Sequence, residues 1–125
     1  MIVGETYFIQ DHLWVVCTSQ DENGRVAILN MTTWRRGCDE NCVIVPGDHS
    51  WVKHPTVIAY ERGKMLDKKQ QAAIYGMPSV CPRKASVSAE LLKRVQDGAL
   101  KSDLTPQEIQ VAIKAHLSAQ KPSGP

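Results

Sequence analysis

The chain has little charge of one sign to offer: fifteen Lys and Arg against thirteen Asp and Glu leave a formal +2. A general field that gathers polyanions is thereby excluded, and any such preference must come from local clusters. The clusters available are Trp34-Arg35-Arg36, Lys53-His54, Arg62 to Lys69 and Arg83-Lys84. Long hydrophobic runs are missing as well. No stretch approaches the roughly eighteen apolar residues of a membrane span, and no charged segment followed by a long apolar one opens the chain. The expectation is a cytoplasmic protein with no membrane partner. In that reducing compartment the four cysteines read as free thiols rather than a disulfide framework. There is no internal repeat, P-loop, Gly-x-Ser-x-Gly elbow or dinucleotide fingerprint. Alternating β-α units are absent too, so Rossmann and TIM architectures are set aside.

What is present is ordinary for a globular domain: 42% hydrophobic and 22% charged residues over a length sufficient for one core. The pattern predicts strands over Glu5–Ile9, Leu13–Cys17, Arg25–Thr33, Cys42–Val45 and Thr56–Tyr60, the last extending toward Met65. Leu13–Cys17 is continuously apolar and reads as buried on both faces. Asp11-His12 breaks the first two strands, and Asn23-Gly24 is a hairpin signal between the second and third. Asp67 to Ala73 is a short helix or turn, and Tyr75 to Ala85 is irregular. Ser88 is placed to cap a helix through about Asp97 that Gly98 stops. Thr105-Pro106-Gln107-Glu108 reads as a full capping box for a last helix, with His116 on its packing face. The expected fold is mainly β, a small SH3-like antiparallel barrel with two C-terminal helices. One domain is predicted over residues 1–118, with the barrel about 1–65, the helical part about 86–118, and 119–125 a disordered tail.

The stretch Pro46 to Arg62 is unusual for its polarity. Pro46, Gly47 and Asp48 are turn formers. His49, Trp51, Lys53 and His54 are not explained by a turn, and polar and aromatic groups concentrated on a loop are the usual form of a site.

The succession Gly4–Ile9, His12–Ser19, Arg25–Thr33, an apolar strand, Val57–Met65 and Val87–Val95 resembles the MazF/PemK-like toxin barrel over roughly residues 4 to 97. In that family an opening Gly-x-x-aromatic strand precedes a β-branched strand and then one ending in Thr-Thr, the place of Thr32-Thr33. Where the family carries an Arg-Pro pair before the second strand, this chain has Asp11-His12-Leu13. The aspartate often found in the later strand falls near Tyr60 or Glu61. The resemblance implies a metal-independent, cytoplasmic endoribonuclease, a homodimer, with single-stranded RNA as substrate and an antitoxin as protein partner.

RNA cleavage without metal needs a base for the 2′-hydroxyl proton, an acid for the leaving 5′-oxygen, and donors for the charged phosphorane. Histidine titrates in the range both proton transfers require. His54 and His49 are the proton-transfer candidates, with His12 a third member from the first loop. Thr56 and Tyr60, which alternate with His54 on an extended backbone, are the hydrogen-bond donors. Trp34, Arg35 and Arg36, with Trp51, Lys53 and Arg62, supply the faces and cations an RNA strand would meet. No cofactor or metal is expected. Two readings stand beside this one: a non-catalytic RNA- or protein-binding module, and a zinc-stabilised interaction domain with Cys38, Cys42, His49 and His54 as ligands.

Overall fold

The computed structural model describes residues 1–120. Six strands, β1 (Thr6–Ile9), β2 (His12–Val16), β3 (Val26–Thr33), β4 (Val43–Ile44), β5 (Thr56–Leu66) and β6 (Arg83–Lys84), form one antiparallel sheet. Three helices accompany it: α1 (Lys68–Tyr75) between β5 and β6, then α2 (Ala89–Lys101) and α3 (Gln107–Gln120). The spatial order β4-β5-β3-β2-β1-β6 leaves both edges unjoined, so the sheet is a curled, open half-barrel. The mainly β class and both C-terminal helices are as the sequence predicts. The last helix reaches Gln120, into the segment read as tail, and residues 121–125 lie outside the described residues.

The Asn23-Gly24 hairpin forms. Gly24 takes φ +76° and donates to the Asp21 carbonyl at 2.9 Å, while the Asp21 carboxylate accepts from the N–H groups of Asn23 and Arg25. β2 and β3 then pair from Leu13 opposite Met31 to Val16 opposite Ile28. Alternation along β2 sends Leu13 and Val15 to the layer under α2 and α3, and Trp14 and Val16 to the opposite face with Tyr7 and Leu66. Both faces of that strand are buried, which is why it reads as a run rather than an alternation.

β5 is bent. Between the pairs Ile28–Lys64 and Asn30–Ala59, β3 advances two positions while β5 covers Ala59 to Lys64, a bulge that swings the strand's second half around the core. Gly63 sits in it, where a Cβ would lie 2.9 Å from Leu29 Cδ2 and 3.1 Å from Ile109 Cγ1. The absent side chain lets α3 close over the sheet.

Three local expectations are corrected. Gly98 does not stop α2: the helix runs on to Lys101, and the glycine serves the close approach of Tyr60. Thr105 does not make a capping box, since its Oγ1 is buried without a partner among the described residues. The Pro106 carbonyl accepts from Ile109 and Gln110 instead, at 3.0 and 3.1 Å. The segment read as irregular contains β6, because β1 needs an outer partner: Thr6 and Tyr7 pair with Lys84 and Arg83, and Phe8 N–H donates to Pro82 O at 2.9 Å. Ser88 caps α2 as expected, accepting from Leu91 N–H at 3.1 Å.

Candidate functional site

The β1–β2 connection is a two-residue turn in which Gln10 and Asp11 have φ of +48° and +68°, between paired Ile9 and His12. Positive φ at both central residues is what a two-residue hairpin turn between twisted strands requires. This turn sets Asp11 and His12 beside the end of β3, the start of β5 and the loop before β5. Together they enclose a groove of about 350 Å³ at one end of the sheet.

Most of the polar candidates meet here. Trp51, Lys53, His54 and Thr56 come from the β4–β5 loop and the first residue of β5, Thr32 and Thr33 from the end of β3, and Arg35 from the loop that follows. Among the described residues neither Arg35 nor Lys53 has an ion-pair partner, so both cations are free to meet a phosphate. The Thr56 hydroxyl donates to the His54 carbonyl at 2.9 Å and so fixes the loop that presents the imidazole.

Hydrogen bonding separates the histidines by tautomer. His12 Nδ1 lies 3.3 Å from the Met31 carbonyl and His54 Nδ1 3.2 Å from the Pro55 carbonyl. A carbonyl only accepts, so the neutral rings carry their proton on Nδ1 and present Nε2 as a base. His49 is the reverse. Its Nδ1 accepts from Trp51 N–H at 3.0 Å and its Nε2–H donates to Ala85 O at 2.5 Å, within a 6% exposed side chain. Both of its nitrogens are engaged inside the fold.

The remaining candidates lie elsewhere. Tyr60 is fully buried, and its hydroxyl donates to Val95 O at 2.8 Å. Burial pushes its ionisation well above the normal phenol range, and the thiols of Cys42 and Cys17 add to the shift. The expected alternation holds, but it carries Ile58 and Tyr60 into the core once the strand leaves the groove. Trp34 is exposed and donates to Glu40 at 3.3 Å. Arg36 and Arg62 are exposed and do not line the groove. The Cys38, Cys42, His49 and His54 series is not drawn together: Cys42 packs in the core, its thiol pushed up to about 11 by burial, and His49 is held by Ala85. Among the described residues no group of three or more His, Cys, Asp or Glu is placed to hold a metal ion.

Phe8 also lines the groove, a residue the sequence alone does not single out. Phe8 packs on Trp51 with ring centroids 5.2 Å apart, and Lys84 Nζ stands 4.9 Å from the Trp51 ring centre. Lys84 belongs to a basic pair visible in the sequence, but only β6 pairing brings it to the tryptophan.

Comparison with protein-family models, with curated proteins and with solved structures finds no match to this chain. The likeness to the MazF/PemK-like family therefore stands on the order of sequence elements alone, and function is argued from the groove.

Proposed function

We propose that the groove binds single-stranded RNA and cleaves it without a metal, through His54 and His12. The observation that carries this reading is the pair of imidazoles, His12 and His54, that line one cleft with Nδ1 on a backbone carbonyl in each case. One takes the proton of a 2′-hydroxyl as its oxygen attacks the adjacent phosphorus. The other protonates the 5′-oxygen as the P–O5′ bond breaks, giving a 2′,3′-cyclic phosphate and a 5′-hydroxyl. Lys53 and Arg35 stabilise the phosphorane charge, and the Phe8–Trp51 aromatic pair with Lys84 offers a base a stacking face beside a cation. His49 is a positioning residue, since it holds the backbone of Trp51.

On this reading the chain is a PemK-like, SH3-like barrel acting in the cytoplasm, as a homodimer restrained by an antitoxin. Among the described residues no helix is long and apolar enough to cross a membrane.

The test is incubation of the protein with a long single-stranded RNA in excess EDTA, beside His54→Ala and His12→Ala. Discrete fragments ending in cyclic phosphate are expected from the unaltered chain, with each substitution slowing their appearance by about 10²- to 10⁴-fold. RNA retained on a filter but uncut identifies the non-catalytic binding module instead. RNA neither bound nor cut removes both readings.

A further inference from the structure

At the other end of β2 and β3, a larger cavity of about 720 Å³ opens between α3 and the β2–β3 loop. It shares no lining residue with the first groove. Its apolar surface is Met65 and a stripe of α3 comprising Val111, Ala112, Ala115 and Ala119. α3 thus carries two apolar faces. Ile109 and Ile113 are fully buried against the sheet, whereas Val111 is 59% exposed.

A buried polar side chain also lines this cavity. His116 is 8% exposed, and its Nδ1 accepts from Ser19 N–H at 3.0 Å with Ser19 Oγ at 3.1 Å. A backbone N–H only donates, so the proton of the neutral ring sits on Nε2. Burial lowers the pKa of His116 and favours that neutral ring. Among the described residues Nε2 has no hydrogen-bond partner, and it is not sealed from solvent. A fixed N–H donor is therefore left for an occupant.

The rim is acidic. Among the described residues Glu22 and Glu108 line it with no ion-pair partner, and the only cation of the lining, Arg25, is held by Asp21 at 3.0 Å. On a chain of net charge +2 this mouth has the opposite sign. It repels phosphates and attracts a cationic partner.

We propose that this cavity is the docking site for a basic amphipathic helix of a protein partner. The helix lays its apolar face on Met65 and the alanine stripe, with Lys or Arg toward Glu22 and Glu108 and a side-chain oxygen accepting from His116 Nε2–H. Helix-in-groove recognition uses this combination of an apolar floor and a charged rim. The stripe from Glu108 to Ala119 is about 17 Å long, three turns of a facing helix.

The test uses the full chain and two fluorescein-labelled helical peptides of about 18 residues with one shared leucine pattern. One peptide carries Lys at its polar positions and the other Glu. Fluorescence anisotropy should rise with the Lys peptide and not with the Glu peptide. Ala115→Arg, at an exposed position, should weaken binding by about tenfold or more. Glu22→Lys combined with Glu108→Lys, both exposed, should exchange the preference toward the Glu peptide. Failure of both peptides to bind, or an affinity that Ala115→Arg leaves unchanged, overturns the proposal. So does a dimer in sedimentation that Ala115→Arg dissolves, because a second copy of the chain then fills the cavity.

Discussion

The Tyr60 ring lies against Gly98: a Cβ at residue 98 would stand 2.9 Å from Tyr60 Cζ and 2.9 Å from the Asn41 carbonyl oxygen. The tyrosine hydroxyl donates to Val95 O in the same helix, so β5 and α2 are joined at one point by contact and hydrogen bond. Gly98→Ala should therefore destabilise the protein by about 1–3 kcal/mol, although alanine favours a helix intrinsically. In a Tyr60→Phe background the cost should shrink but persist, since Cζ and Asn41 O remain. A double-mutant cycle in urea measures this coupling, and additive effects would refute the contact.

His49 should separate from the groove histidines in kind of effect. His49→Ala removes two partly buried hydrogen bonds and leaves Trp51 N–H without its acceptor, a loss of about 1–3 kcal/mol in unfolding free energy. RNA cleavage per folded molecule should change far less than in His54→Ala. Urea midpoints combined with single-turnover cleavage decide the matter, and a stable but inactive His49→Ala would return it to the chemistry.

His116 gives the stability a pH dependence of known sign. Burial holds its pKa below the ordinary value near 6.5, so between the two pKa values the unfolded chain binds the proton more readily than the folded one. Stability should be unaffected by this group above about pH 6.5 and should fall as pH drops below it. Thermal melts across that range should show the decline. His116→Gln should show a shallower one, and an identical slope would assign the decline to other groups.

Asn30, opposite Trp14 and Ala59 in the middle of β3, is fully buried, and both polar atoms of its side chain lack partners among the described residues. Leaving such a group unsatisfied costs about 1–3 kcal/mol. Asn30→Val, which also suits a strand, should raise the midpoint of urea unfolding with unchanged slope. A lowered midpoint would mean that the amide has a partner in solution.

The sequence by itself determined the elements whose cause is local. Asn23-Gly24 makes its turn because glycine takes positive φ at little cost, β2 is legible because β-branched residues fit a strand buried twice, and Ser88 caps α2 through its own hydroxyl. It also marked the β4–β5 loop, because Trp51, Lys53 and His54 are too polar together for a core. Only the tertiary structure decided which residues meet in the groove. Phe8 arrives from β1 and His12 from the end of the β1–β2 turn, while β6 pairing sets Lys84 against the Trp51 ring. The roles of the histidines were likewise beyond local reading. A ring's available nitrogen depends on which backbone group faces the other one, and Met31 O, Pro55 O, Ala85 O and Ser19 N–H are set by packing across the fold. Gly98 and Tyr60 show the same limit: a glycine that reads locally as a helix stop is held within the helix because a distant tyrosine needs the space.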